Sequence, residues 1–316
     1  MSMVVRNSSV CVVGSFSLDS IVVSGRDRPF YNLGGATTFT SLAVKTLGEP
    51  VSVVSRVGGD FPEAYLEWLR ERGVDVSAVK RYPDELTTSF ELCYSDAVFS
   101  ERTLRLACRG GFIGFDDIPC GLSVKVIHVA PIAGEISYEI MEYLRGCCDF
   151  LSFDPQGFLR SFDENGNVVL RLQQRVDKRV LGLVDVCKVS LDELFVLTGL
   201  SELAAAVRAV HDVGVETVIV TMGAKGSLLS VKGVCYSVPA CQSSIVVDPT
   251  GAGDVFIGAF LAEYLKGKSS LWCASMGSAA ASMVVEGLGS TFFGESQEIL
   301  KRAMFLYEKK LSKVYM

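Results

Sequence analysis

The stretch Val246-Val247-Asp248-Pro249-Thr250-Gly251-Ala252-Gly253-Asp254, running directly into the apolar segment Val255 to Leu265, decides how this chain reads. A strand is expected to pass here through a turn of small residues into a buried helix. The turn then sits at a helix N-terminus, where the N–H groups of Gly251, Ala252 and Gly253 lack intrahelical acceptors and can converge on an anion with the helix dipole behind them. Glycine and alanine let the backbone approach a phosphate that a larger side chain would hold off. Asp254, in the first helical turn, has two readings. It stabilises the helix as an ordinary acidic N-terminal residue, or it acts as a general base that accepts a hydroxyl proton while the neighbouring amides hold an incoming phosphoryl group. The residues alone leave the two side by side.

Upstream, β-branched runs alternate with helical patterns, the signature of a mostly parallel sheet with crossover helices. Val10–Val13, Val51–Val57, Lys125–Ala130, Phe150–Asp154, Val184–Ser190 and Thr217–Thr221 read as buried strands. Asp60, followed by Pro62 and Glu63, is expected to open a helix that stops at Gly73, and Ser201 another that stops at Gly214. From Thr87 to Leu106 the period changes to the alternation of half-exposed strands, with Asp96 near a turn. Together with Ser15–Val23 this predicts a small separate sheet, of the kind that serves as a lid or a dimer contact, rather than an extension of the main sheet's edge.

With 316 residues, 49% hydrophobic and 21% charged, the chain is too apolar to be disordered and long enough for two domains or one large one with an appendage. Mean hydropathy is +0.35, but the longest uncharged stretch, Ser269–Val285, is broken by serine and glycine and reads as a buried helix. Met1–Val13 has no long apolar core and no small-residue cleavage site, so a secretory signal is not expected. Thirty basic residues against 36 acidic ones give no electrostatic footprint for nucleic acid. The ten cysteines never form C-x-x-C and read as small buried hydrophobes of a reducing cytoplasm, not as a disulfide framework. His128 reads as a core residue and His211 as the end of a helix; neither has a metal-ligand companion.

The run Asp248 to Phe260, D-P-T-G-A-G-D-V-F-I-G-A-F, resembles the C-terminal signature of the ribokinase-like (PfkB) family of carbohydrate and nucleoside kinases, usually D-T-x-G-A-G-D-x-F-x-G. Similarity extends from about Val10 to about Thr291, with a second anchor at Asn32-Leu33-Gly34-Gly35-Ala36 and a third at Arg56-Val57-Gly58-Gly59-Asp60. The resemblance implies Asp254 as catalytic base, Gly251, Ala252 and Gly253 as anion hole, and Gly34 and Gly35 as the backbone that approaches the acceptor. Asp19 would hold acceptor hydroxyls, its alternative being a turn residue. Thr221-Met222-Gly223-Ala224-Lys225-Gly226 is similar to the family's nucleotide loop and is expected one strand before the Gly-Ala-Gly turn, with Thr221, Gly223 and Gly226 on ATP. Lys188 to Glu193 occupies the place of the family's N-x-x-E motif: Lys188 and Ser190 face ATP, and Glu193 orders the magnesium shell through water. Ser190 replaces the family asparagine, and Glu193 has a second reading as a helix N-terminal carboxylate. Ala279–Ser282 and Gly287–Ser290 would line the adenine side.

Phe39 stands where ribokinase carries an asparagine that reads a ribose edge; an aromatic suits a ring face better, which lowers ribose among acceptors. Leu86–Tyr94 and Phe153–Arg160 look like segments of archaeal inositol kinases of the family. On that likeness Asp154 and Gln156 hold neighbouring hydroxyls, Arg160 meets the phosphoryl group and Arg109 closes from the base of the lid. The competing readings are a turn at Asp154-Pro155 and a surface pair of Arg160 with Asp163.

The expectation is one ribokinase-like domain over 1–316: a three-layer α/β/α body with a mostly parallel central sheet, and a β lid from about 15–25 and 85–108. Its expected activity is transfer from ATP with Mg2+ to a hydroxyl of a small polyol or sugar, myo-inositol first, a nucleoside or other sugar second. A non-catalytic nucleotide- or sugar-binding regulator is the alternative of another class. No nucleic acid or membrane partner is expected, and the lid leaves room for a homodimer.

Overall fold

Val10 and Val12 pack with the helices on one face of a sheet while Cys11 and Val13 pack on the other, so this short strand is buried from both sides. That is why it reads as a continuous apolar run rather than an alternating one. The computed structural model describes residues 8–23, 29–94, 102–171, 178–243, 245–309 and 311–314.

A ten-stranded sheet runs in the order Ser312–Val314, Val234–Val238, Ser227–Val231, Thr217–Thr221, Val186–Ser190, Cys148–Phe153, Val124–Val129, Val10–Val13, Val51–Gly58, Val74–Tyr82. The seven strands from Thr217–Thr221 to Val74–Tyr82 pair in parallel; the three at the other edge are antiparallel. Helices Tyr138–Arg145, Leu191–Thr198 and Leu203–Asp212 cover one face, and Ala36–Thr46, Glu63–Glu71, Ala252–Leu265 and Ser270–Val284 the other. The body is thus three layers, α/β/α, with a mostly parallel central sheet, as expected. Among the described residues no single helix is long and apolar enough to cross a membrane; Ser270–Val284 is mostly buried in the body.

A separate four-stranded sheet has the order Phe30–Gly34, Ser17–Val23, Ser89–Tyr94, Arg102–Cys108. The alternating pattern foresaw three of these strands; Phe30–Gly34, read only as a glycine motif, is the fourth. Residues 24–25 of the expected lid and the turn at Asp96 lie outside the described residues. The base of this sheet is tied to the body by threonines. Thr87 donates from N and Oγ1 to Asp60, each at 2.8 Å, and Thr88 Oγ1 accepts from Gly110 N at 3.0 Å.

Several local expectations shift. Asp60, spent on Thr87, does not cap the helix after it, whose N-cap is Pro62. Glu202 rather than Ser201 caps Leu203–Asp212, its carboxylate accepting from Ala204 N and Ala205 N. Val246-Val247 is not a strand: Val247 N donates to Val285 O at 2.7 Å, which ties the segment to a helix end instead of a sheet edge. Two antiparallel strands, not one, separate the Thr221–Gly226 loop from the Gly-Ala-Gly turn. All ten cysteines are free, but only Cys11, Cys187, Cys235 and Cys273 are buried, and Cys120 is exposed.

Candidate active site

Loops after the parallel strands converge at their carboxyl ends, where open α/β sheets hold ligands. Asp154 follows Cys148–Phe153, Ser190 ends its strand, and Thr221 ends the next. Above them the Gly-Ala-Gly turn starts helix Ala252–Leu265, with Gly251 as its N-cap at φ +77°. Asp248 braces the turn, its carboxylate accepting from Thr250 N at 2.9 Å and Gly289 N at 3.0 Å. Helix Ala36–Thr46 crosses close beneath: a side chain at Gly258 would run into Thr40 O and Ala43, and Thr40 Oγ1 donates to Asp254 O at 3.2 Å. The amide of Ala252 is engaged with Pro249 O at 3.3 Å, so one of the three expected anion-hole donors is spent on the turn itself.

The turn separates two cavities. On one side a pocket of about 80 Å³ is lined by Asp19, Gly35, Phe39, Gln156, Arg160, Gly251 and Asp254, with Phe90, Leu92 and Leu104 of the small sheet facing them. On the other a cleft of about 830 Å³ runs along Thr221, Gly223, Gly226, Ala252 and Gly253 to Pro239, Val246, Phe256, Ala281 and Val285. Asp254 faces the small pocket, Gly253 the large cleft.

Gly35 allows this approach by adopting φ +88°, where a side chain would strike Ser15 and Ser17. A side chain at Gly34 would overlap Asp19, whose carboxylate accepts from Ser17 Oγ at 2.7 Å. Arg160 donates to Gln156 Oε1, and at 3.4 Å to Ile132 O, rather than pairing with Asp163. Asp163 instead accepts from Asn165 and Asn167 in a surface turn.

Other expected residues stand elsewhere. Asp154 is buried and does not line the pocket: it pairs with Lys188 and accepts from Gln156 N at 3.0 Å, so it fixes the start of the Gln156 turn instead of facing a ligand. Lys188 is buried on this pair, its Nζ 2.9 Å from where a Gly253 Cβ would lie. Phe39 is 2% exposed; its ring lies under Gly251 and against Phe293 at 6.2 Å, and it also lines the pocket. Arg109 is exposed and sits 5.1 Å over the Phe162 ring, outside the pocket. Ser190 and Glu193 form a capping box for Leu191–Thr198, Glu193 accepting from Ser190 N at 2.8 Å. Of the expected adenine wall, Ala281 and Ser282 line the cleft, whereas Ser290 donates to Leu33 O at 2.8 Å and is tied to the strand Phe30–Gly34.

Sequence reading missed Glu135, a buried carboxylate that accepts from Ser15 N, Ile132 N and Ala133 N at 2.8–3.1 Å. It orders the loop carrying Ile132 and the entry to the Ser17–Val23 strand. No motif surrounds it, and only the three-dimensional convergence of amides reveals it.

Electrostatics set the site apart. Burial pushes Asp254 up to about 6; Lys188 opposes the rise, Asp154 adds to it, and Arg160 opposes it in turn. Burial would pull the Lys188 ammonium down, but Asp154, Asp254 and Glu193 more than offset it and hold it above its ordinary value. A carboxylate held near neutrality between two cavities can take a proton at physiological pH.

The sequence pattern of the pfkB family carbohydrate kinases matches residues 7–107 and 135–297. Inositol 3-kinase of Oryza sativa subsp. japonica is 31% identical over 325 residues, covering 93% of this chain and 73% of the rice protein. Cytidine kinase of Thermococcus kodakarensis is 26% identical over 282 residues, covering 88% of this chain and 96% of its own. A solved structure described as the conversion of a pyrophosphate-dependent myo-inositol-1 kinase into a myo-inositol-3 kinase, by one Asn-to-Leu and one Ser-to-Leu exchange, superposes with a TM-score of 0.77. It is 25% identical and covers 93% of this chain and 98% of its own. With its three-layer body and two cavities on either side of the Gly-Ala-Gly turn, the chain belongs to the PfkB family of carbohydrate kinases, phosphotransferases that act on hydroxyl groups.

Proposed function

We propose that this protein transfers the γ-phosphoryl group of ATP to a hydroxyl of myo-inositol, with Asp254 as the general base. The observation that carries the reading is the position of Asp254 at the boundary between a small polar-floored pocket and a large cleft. The pocket of about 80 Å³, roofed by Phe90, Leu92 and Leu104, suits a single polyol ring better than a nucleoside. Ring carbons meet the apolar roof while Asp19, Gln156 and Arg160 meet hydroxyls. Two relatives phosphorylate inositol by name; the pyrophosphate-dependent one becomes a 3-kinase on gaining two leucines, and a leucine-bearing acceptor pocket is what this chain has.

Apolar walls at Val246, Phe256, Ala281 and Val285 favour a donor with a nucleobase over bare pyrophosphate, which would leave them unused. Among the described residues no group of three or more His, Cys, Asp or Glu forms a metal cage. That suits an ion carried mainly by nucleotide phosphates and water, as Mg2+ is in kinases. Mg2+, when bound, would neutralise charge on the transferring group, with Glu193 orienting its water shell.

The chain's own residues do the rest. Asp254 accepts the hydroxyl proton as transfer proceeds, and Gly251 and Gly253 present backbone to the phosphoryl group. Lys188 places positive charge below Gly253, Arg160 supplies it from the acceptor side, and the small sheet excludes water as a lid. Initial rates with myo-inositol, ribose, fructose, cytidine and adenosine, each with ATP and with pyrophosphate, test the reading. It predicts the highest kcat/KM for ATP with myo-inositol. A nucleoside as best acceptor, or turnover with pyrophosphate alone, would sink the acceptor or the donor assignment respectively.

A further inference from the structure

We propose that Arg302 is a positioning residue for the donor: from behind the large cleft it clasps together the two segments that wall the nucleobase end. The proposal rests on the reading above that this cleft takes a nucleoside triphosphate.

Arg302 belongs to the helix Ser296–Lys309, no described residue of which lines the cleft. Ile299 and Ala303 of this helix share an apolar cluster with Ala279, Ala280, Met283 and Val284. Residues three and four apart share a helix face, so Arg302 is carried on the side that meets the helix Ser270–Val284. There its Nη1 donates to Ser282 Oγ at 2.9 Å and pairs with Glu286 Oε1 at 2.9 Å, while Nε reaches Glu298 Oε1 at 3.4 Å. Ser243 Oγ lies 2.9 Å from the same Glu286 oxygen and 2.7 Å from Ile245 O, with one proton to share between them. The Arg302 and Glu286 side chains are only 19% and 18% exposed, so water screens this pair less than it does a surface ion pair.

Three residues of the network stand next in sequence to apolar wall residues: Ser282 follows Ala281, Glu286 follows Val285, and Ile245 precedes Val246. Val247 N and Asp248 N both donate to Val285 O, at 2.7 and 3.2 Å, so backbone and side chains join the same two segments. Ser243 and Ser282 line the cleft, but their hydroxyls serve the protein, Ser282 Oγ also donating to Ala279 O at 2.7 Å. The wall therefore meets a base largely with apolar carbon, and its hold depends on the spacing of the two segments. Dispersion contacts fade within an ångström of added gap. Other groups brace the phosphate end: the Asp248 carboxylate on Thr250 N, and Lys188 below Gly253. Loss of Arg302 should thus weaken the grip on the nucleoside and spare that on the phosphates.

The test is calorimetry on the full chain with ATP and with inorganic tripolyphosphate, each with Mg2+, the difference reporting what the nucleoside adds. Wild-type protein should bind ATP about tenfold more tightly or better. In Arg302→Met, which keeps the aliphatic stem, that advantage should shrink roughly five- to tenfold, with tripolyphosphate affinity within about twofold of wild type. Arg302→Lys keeps the charge without the planar fork and should fall between the two. Lys301→Met, at an 80% exposed side chain of the same helix, should change neither affinity. In initial rates with saturating acceptor the loss should fall on the KM for ATP, with kcat held. If Arg302→Met does not fold, Ser243→Ala, which frees the segment before Val246 from Glu286, carries the same comparison. Equal losses for ATP and tripolyphosphate, or an unchanged advantage for ATP, overturn the role of Arg302 and leave the cleft as the nucleotide site. Wild-type protein that binds tripolyphosphate as tightly as ATP overturns the nucleotide reading and this proposal with it.

Discussion

Lys188, within the strand Val186–Ser190, and Asp154, just past the end of the neighbouring parallel strand Cys148–Phe153, form a buried ion pair, and the ammonium lies just below Gly253. The pair therefore links the turn that begins at Gln156, on the acceptor side, to the donor side of the Gly-Ala-Gly turn. Removing Asp154 alone strands a buried cation. Asp154→Asn should cost about 3 kcal/mol or more in denaturant unfolding. Lys188→Met removes the strongest influence holding Asp254 down, so the acid limb of its kcat–pH profile should move to higher pH. A limb that stays in place in Lys188→Met would show that the ammonium does not act on Asp254.

Asp254→Asn keeps the size of the side chain and removes its basicity. Turnover should fall by about 10²–10⁴-fold, while ATP binding, followed by calorimetry, stays within a few-fold. In the wild type, kcat should rise with pH through about 6 and then level, because the base must be ionised.

The same carboxyl group has a stability signature, opposed by a histidine. Asp254 holds its proton more tightly folded than unfolded, so its contribution is present below its ordinary value of 3.8 and is lost as pH rises through about 6. Burial lowers His128 from 6.5 to about 4, so its contribution is present above 6.5 and lost as pH falls towards 4. The two slopes oppose each other across this window. Asp254→Asn should expose a stability that rises with pH, and His128→Gln one that falls, when midpoints are measured from pH 4 to 7. Parallel curves for both variants and the wild type would show that neither group is perturbed by folding.

The fold was legible because its strands are buried on both faces and leave nearly unbroken apolar runs such as Val51–Val57 and Thr217–Thr221. The small sheet was legible for the opposite reason, one face being charged through Glu91 and Arg105 and the other apolar. Within the site, backbone needs leave a local mark: Gly35 and Gly251 have positive φ, which favours glycine. Side-chain partners across the sheet leave none. Asp154 and Lys188 are 34 residues apart, and nothing local to either says that the aspartate turns from the pocket to the lysine. Phe39 is similar: its ring serves Gly251, which is far away in the chain and touches it only once the chain has folded.

That contact makes Gly251 the most constrained residue of the turn. At φ +77° any L side chain is strained by about 1–2 kcal/mol, and a Cβ would also drive into the Phe39 ring. Gly251→Ala should therefore lose about 2 kcal/mol or more of stability, since the clash adds to the backbone cost. Its kcat should fall too, because relief of either strain shifts the backbone beside Asp254. Phe39→Leu in the same chain makes room for the methyl group but leaves φ unchanged. The double variant should recover part of the stability by urea unfolding and little of the turnover, which separates the steric from the conformational demand. Full recovery of turnover in the double variant would mean that the ring contact alone, and not the left-handed backbone, sets the position of the turn.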